Sequence, residues 1–207
     1  MSVGMKEKIK YILPVLLTMV LGSIVLAVKK MFPFGNDTID YYDMAQQIAA
    51  FYYHVYDMLH GEKAFFFDWY TALGVNMAMS TSGCSNLSPF NLFFLFVPRD
   101  MLLESLSIFN LLKMMCMTFT MYLFLHKTYR APYFFKALLS TGYGFCGFVL
   151  VLYITNQWMD IAVLFPLILL SLGKLLREGT MRWYVVTMSL ALINSYYLAF
   201  MILIFIF

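Results

Sequence analysis

Three aspartates fall within seven residues in the stretch DTIDYYDMAQQIAAFYYHVYDM, which runs from Asp37 to Met58. Asp43 follows Asp40 by three residues and Gln47 follows Asp43 by four, so a helix would bring the three side chains to one face. A carboxylate in this setting can act as a general base that takes a proton from an attacking hydroxyl group. The amide of Gln47, one turn later, can hydrogen-bond a substrate held beside it.

Residues 40–59 have the pattern of an amphipathic helix. At about 100° per residue, the polar and apolar side chains separate onto opposite sides. The polar side holds Asp40, Asp43, Gln47, His54 and Asp57, and the apolar side holds Tyr41, Met44, Ile48, Phe51, Val55 and Leu59. Such a helix is expected to lie in the membrane interface with its polar side toward water or a cleft. A solvated acidic face without function fits the same pattern.

The composition indicates what positions this helix. Hydrophobic residues make up 62% of the 207 residues and charged residues 12%, whereas soluble domains carry about 25% charged residues. We predict an all-α fold, a polytopic membrane helix bundle with about five transmembrane helices at residues 11–28, 106–125, 134–154, 161–176 and 183–207. The apolar stretch of residues 92–97 is too short to span the membrane, so we predict that it lies at the membrane surface or re-enters the membrane. The net charge of +3 gives no signature of nucleic-acid binding.

The distribution of charge predicts the orientation. Most of the 14 Lys and Arg residues fall at the N-terminus and in the loops near residues 130 and 180, which lie on the same side of the membrane. The positive-inside rule then places the N-terminus in the cytoplasm of a multi-pass cell-membrane protein. Residues 31–105 become a long first outer loop, with too many aromatic residues to be disordered. The apolar run at residues 196–207 predicts that the chain is the N-terminal part of a larger transmembrane domain.

Other candidate residues are fewer. Asp160 lies at the predicted outer mouth of the fourth span, where it could be a second acid, a metal ligand or a helix start exposed to water. Arg99 and Lys63 are outer-loop cations that could meet a phosphate. Lys113 lies within the second span and must face protein or water. No metal-binding or nucleotide-binding motif is present, so the cofactor stays open, with a divalent metal among the options.

The segments FPFGNDTIDYYDMAQQIAAFYYHVYDM, ALGVN (residues 72–76) and SPFNL (residues 88–92) resemble, in order and spacing, the start of the bacterial YfhO-like membrane proteins. NQWMDIAVLFPLILL (residues 156–170) and INSYYLAFMI (residues 193–202) are similar to later elements of that family. The resemblance covers the chain from about residue 10. It implies the start of a glycosyltransferase of the GT-C type, a larger enzyme of which residues 1–207 alone are expected to be inactive.

Enzymes of that type take a sugar from a polyprenyl-phosphate carrier on the outer face. In this family the resemblance implies a cell-wall polymer, such as lipoteichoic acid, as the acceptor. The essential acid of the first outer loop matches Asp43. The matched elements contain Gln47, Asn76, Asn91 and Asp160, and together with the neighbouring acid Asp40 and the outer-loop cation Arg99 these are the expected substrate-binding positions. The expected partners are the lipid-linked donor, the polymer acceptor and membrane lipids, with no nucleic acid.

Two alternatives stay open. A transporter or flippase for lipid-linked substrates would use the outer acids to line a vestibule, and it would need acids deeper in the membrane. A noncatalytic membrane scaffold would bind a partner through the outer loop and would tolerate replacement of Asp43 by Asn.

Overall fold

The protein is described by a computed structural model that covers residues 3–69, 73–76 and 87–206. Ala72 of the 72–76 element and Phe207 at the end of the fifth predicted span lie outside these ranges. Two short strands, β1 (Phe67–Asp68) and β2 (Val75–Asn76), pair antiparallel. The helices are α1 (Val3–Val28), α2 (Ala49–Leu59), α3 (Leu102–Thr128), α4 (Tyr133–Gly144), α5 (Gly147–Val151), α6 (Met159–Glu178), α7 (Arg182–Asn194) and α8 (Tyr196–Ile206).

Four segments of the described chain are long and apolar enough to cross a membrane. They are Lys10–Val28, Arg99–Thr128, Tyr133–Val151 and Asn156–Glu178. The first and third expose large apolar side chains such as Ile24 and Leu139, as lipid-facing helices do. The prediction of an all-α polytopic membrane helix bundle is confirmed.

The fifth predicted span, residues 183–207, is interrupted. Helix α7 ends at Asn194, and Ser195 has an extended backbone before α8 begins at Tyr196. The Ser195 N–H still donates to Ala191 O, and the Ala199 N–H to Ser195 O, each at 2.9 Å. The interruption is therefore a local change of helix geometry, and α8 by itself is shorter than a span.

The third predicted span bends after Gly144, where α4 gives way to α5. A Cβ added at Gly144 would lie 2.5 Å from Thr118 Oγ1 and 3.2 Å from the carbonyl oxygen of Met114 on α3. Thr118 Oγ1 in turn lies 2.8 Å from Thr18 Oγ1 on α1, in a buried hydrogen bond. Helices α1, α3 and α4 thus meet closely through small residues, the usual way in which membrane helices associate.

Helix α3 is central, since it packs against α1, α4 and α6. Its first turns also contact the segment between α1 and α3 that the sequence predicts to lie outside, called the outer segment below, in its described residues 29–69, 73–76 and 87–101. There Tyr52 of α2, Phe94 and Phe109 form a buried aromatic group whose ring centroids are 4.9–5.9 Å apart. Burying each large apolar side chain contributes about 1.5–3 kcal/mol, so this contact fixes α2 on the membrane bundle.

Candidate functional site

Asp43 lies between two unusual stretches of backbone. Tyr42 before it has a left-handed φ of 51°, which is uncommon for a bulky residue. After it, Met44–Ile48 forms a π-helix, a geometry often found at functional sites. Met44 is 0% exposed and Ile48 3% exposed, so apolar contacts on the π-helix anchor this backbone while the Asp43 side chain is left at the surface.

Asp40 and Gln47 also lie at the surface, close to Asp43 in the chain. The backbone N–H of Asp40 faces Thr38 Oγ1 at 3.4 Å, before the helical turns begin. The prediction of one regular helix over residues 40–59 is therefore wrong at its start. Within the described residues, the Asp43 carboxylate has no hydrogen-bond or ion-pair partner, and it is free to meet a substrate.

The second half of the predicted polar face does not face solvent. Asp57 and His54 are each 5% exposed, because the loop that follows α2 folds back over them. Arg99 donates to Asp57 through Nε at 2.9 Å and through Nη2 at 3.4 Å. Lys63 Nζ lies 3.8 Å from the same carboxylate. The hydrogen bond from Arg99 holds the pKa of Asp57 below its ordinary value and keeps this side chain ionised.

His54 occupies a buried position beside that ion pair. Its Nδ1 lies 3.4 Å from Lys63 Nζ and 3.8 Å from Asp68 Oδ2. Burial, followed by the charge of Lys63, lowers the pKa of His54. The ring is therefore neutral near pH 7, with Nδ1 accepting from Lys63. Nε2 is buried and has no partner among the described residues.

Arg99, predicted to meet a phosphate, is already bound to Asp57. Its guanidinium also lies 5.1 Å from the centre of the Tyr53 ring, a favourable cation–π distance. The side chain is nevertheless 55% exposed, so part of it faces solvent. The sequence pattern gave no sign of the pairing with Asp57, because the two residues are 42 positions apart.

Asp160 is buried inside the bundle at 1% exposure. Its Oδ1 lies 2.6 Å from Lys113 Nζ, and its Oδ2 accepts from Asn194 Nδ2 at 3.0 Å. Lys113 also donates to the carbonyl oxygen of Asn156 at 3.0 Å. The lysine within the second span thus has its counter-charge. The alternative that Asp160 is a helix start exposed to water is wrong, because α6 begins inside the bundle.

A chain of hydrogen bonds connects this interior to the outer segment. The hydroxyl of Tyr52 on α2 donates to Asn156 Oδ1 at 2.5 Å. Asn156 Nδ2 donates to Asn110 Oδ1 at 2.6 Å, and Asn110 Nδ2 donates to the carbonyl oxygen of Tyr153 at 3.0 Å. The helix that follows Asp43 is thereby fixed to α3 and to the turn before α6.

Asn76 and Asn91 are placed differently from each other. Asn76 is exposed at the end of β2. Asn91 is 4% exposed within the 3₁₀ helix Pro89–Phe96, whose start Ser88 caps by accepting from the Phe90 N–H at 3.1 Å. The 3₁₀ helix thus places Asn91 in the interior.

The structure brings Arg99 to Asp57 and Asp160 to Lys113, and among the described residues no contact joins either pair to Asp43. Within the same residues, no group of three His, Cys, Asp or Glu side chains is arranged to hold a metal ion. The feature that distinguishes Asp43 from Asp57 and Asp160 is its unpaired carboxylate.

The family model described as "Bacterial membrane protein YfhO" matches residues 14–207. No curated protein and no solved structure matches the chain.

Proposed function

The chain belongs to the family of the bacterial membrane protein YfhO, and from this premise we propose that it acts in a membrane glycosyltransferase of the GT-C type. The enzyme takes a sugar from a polyprenyl-phosphate carrier and transfers it to a cell-wall polymer such as lipoteichoic acid. We place the reaction at the outer face, with the N-terminus of the chain in the cytoplasm, as the positive-inside rule favours.

The observation that carries the proposal is the setting of Asp43. Its exposed carboxylate follows a residue of left-handed backbone and precedes a π-helix. Such backbone costs of order 1–3 kcal/mol and persists where the surrounding structure holds it. Met44 and Ile48 supply that hold through their burial. A general base must lie within hydrogen-bond reach of the proton that it takes, and an exposed carboxylate on anchored backbone is accessible to an acceptor hydroxyl in this way.

In the proposed reaction, an acceptor hydroxyl attacks the anomeric carbon of the donor sugar. The new bond forms between the hydroxyl oxygen and that carbon, and the bond from the carbon to the carrier phosphate breaks. The phosphate leaves with the bonding electron pair, and Asp43 takes the hydroxyl proton. Asp40 and Gln47 lie close enough in the chain to orient Asp43 or the acceptor.

Two other acids of the chain are less suited to the role of base. Asp57 is held ionised and buried by Arg99, and Asp160 is buried against Lys113 and Asn194. Neither carboxylate can reach an acceptor without breaking these contacts. In the proposal, Asp57 therefore positions Arg99, whose exposed part meets the leaving phosphate.

A transporter of lipid-linked substrates is the second candidate. The buried pair of Lys113 and Asp160 favours it, since ionisable groups inside membrane bundles often mark a transport path. Each of these two groups, however, already bonds to the protein on more than one side. Transfer of the sugar is therefore the function that the geometry supports better.

The test replaces Asp43 by Asn in the chromosomal gene. Sugar substituents on the cell-wall polymers are then quantified by mass spectrometry at equal membrane abundance of the protein. Loss of a general base lowers the rate by about 10²–10⁴, so glycosylation should fall below detection. The matched control is Asp100→Asn, which removes another exposed carboxylate and should leave the sugar unchanged.

Unchanged glycosylation in Asp43→Asn would remove Asp43 as the base and favour the scaffold. A loss that is equal in Asp100→Asn would attribute the effect to surface charge. Loss of the sugar together with accumulation of the carrier-linked donor on the inner face would favour the transporter.

A further inference from the structure

A cavity of about 760 Å³ lies between α3, α6 and α7. We refer to it as the α6–α7 cavity. Its cations are Lys127, Lys174 and Arg177, and its apolar walls include Leu167, Leu170 and Leu190. Lys127 is in the last turn of α3, whereas the outer segment packs on the first turns of that helix. The cavity is therefore at the end of the bundle away from Asp43.

The lining changes from charged to apolar along the helices. On α6, Leu167 precedes Lys174 by seven residues, which is about 10 Å of helix at 1.5 Å per residue. On α7, Leu190 follows Trp183 by the same number of residues. Lys174, Arg177 and Trp183 thus lie toward the helix ends that meet between α6 and α7, and the apolar side chains lie further along both helices. This is the polarity of one leaflet from its headgroups inward.

The charged end of the cavity is positive. Three cations line it against one acid, Glu178. The pair between Lys174 Nζ and Glu178 Oε2 is long, at 3.7 Å, and both side chains are substantially exposed, at 40% and 59%. Such a pair is worth little. Arg177 directs its Nε to the carbonyl oxygen of Gly173, so both α6 cations keep donors for an incoming anion.

We propose that the α6–α7 cavity is a binding site for an anionic phospholipid. The phosphodiester contacts Lys174 and Arg177, because ammonium and guanidinium groups bind phosphate through charge-assisted hydrogen bonds. One acyl chain lies along Leu167, Leu170 and Leu190. A soluble phosphate compound would leave these apolar walls uncovered, and a purely apolar helix would leave the cations without a partner. The proposal rests on the membrane location and on the lining of the cavity. It does not require the proposed transferase activity.

The experiment measures lipid retention by native mass spectrometry of the purified 207-residue chain. The chain is released from micelles that contain equal amounts of phosphatidylglycerol, phosphatidylcholine and polyprenyl phosphate. Phosphatidylglycerol should be retained in preference. In Lys174→Gln/Arg177→Gln, its binding should weaken about 30-fold, from two charges at about 1 kcal/mol each.

Two further variants make the result specific. The matched control is Lys29→Gln/Lys30→Gln, which removes two exposed cations just after the C-terminal end of α1, away from the cavity. This variant should bind phosphatidylglycerol as the native chain does. Val186→Trp keeps every charge and fills part of the cavity from α7, and it should also lose the lipid.

The proposal is overturned by equal retention of phosphatidylcholine, by preferential retention of polyprenyl phosphate, or by native-like binding in Lys174→Gln/Arg177→Gln. Native-like binding in Val186→Trp would overturn it as well, since attraction to diffuse surface charge does not need the cavity. All variants are compared as monodisperse preparations with equal helical content. If one of them does not assemble, the remaining variant still tests the site.

Discussion

The buried ion pair of Lys113 and Asp160 should be among the costliest contacts of this bundle to break. Both side chains are 1% exposed, and Nζ and Oδ1 lie 2.6 Å apart. Replacing Asp160 by Asn leaves the ammonium group buried without a counter-charge, and breaking such a pair costs about 3–5 kcal/mol. The matched control is Glu178→Gln, which breaks an exposed pair at 3.7 Å. That change should cost about 0.5 kcal/mol or less.

A double-mutant cycle separates the ion pair from the rest of its surroundings. Lys113→Met leaves the Asp160 carboxylate with Asn194 as its remaining donor, and this change should also cost several kcal/mol. The double variant Lys113→Met/Asp160→Asn removes both charges, so it should be no less stable than the worse single variant. We expect a coupling free energy of about 3 kcal/mol, because the double variant escapes at least the smaller of the two single penalties.

The assay is equilibrium unfolding of the purified chain in mixed micelles titrated with SDS, followed by far-UV circular dichroism. If a single variant fails to assemble and the double variant assembles, that difference also shows that each charge needs the other. A cost of less than about 1 kcal/mol for Asp160→Asn, or single penalties that simply add in the double variant, would show that the two charges do not stabilise each other.

Three further perturbations test the packing and the outer segment. Gly144→Ala should cost about 1–3 kcal/mol by the same assay, because its Cβ would meet Thr118; Gly142→Ala, with open space around it, should be neutral. His54 has a lowered pKa in the folded state, so as the pH falls the unfolded state takes up the proton of this histidine more readily than the folded state does. The free energy of unfolding should therefore fall below about pH 6.5, and His54→Gln should not show this decrease. Asp57 has a lowered pKa, so its ionised carboxylate stabilises the folded state fully above about pH 4, and this stabilisation is lost as the pH falls through the folded-state pKa. Above pH 4, Asp57→Asn should therefore be less stable than the native chain, and the difference in stability should vanish in acid.

The membrane-spanning helices are the part of the fold that the sequence predicts well. Their signal is local, since a run of about 20 apolar residues suffices to cross a bilayer. The same signal cannot see the interruption at Ser195. An apolar run reads as one span whether or not its backbone stays helical throughout, and the residues near this interruption bond across the bundle, as Asn194 does with Asp160.

The site is only partly readable from the sequence, because its contacts are long-range. The cluster of Asp37, Asp40 and Asp43 stands out through residue type and spacing. The resemblance to the family selects Asp43 within it. Helical periodicity placed Asp57 and His54 on a solvated face, yet a loop packs over them and brings Arg99 from 42 residues away. Tertiary contacts of this kind override local pattern. A lysine within a span was the one available signal that a buried acid had to be nearby.

The hydrogen bond from Tyr52 to Asn156 has a consequence for how the protein is made. The two residues are 104 positions apart, and ribosomes add about 5–20 residues per second. Asn156 is therefore synthesised roughly 5–20 s after Tyr52, and α3, α4 and α5 are made in that interval. The bond from α2 to Asn156 therefore forms only after α3, α4 and α5 have been made, so the segment that carries Asp43 is synthesised well before all of its contacts with the bundle can form.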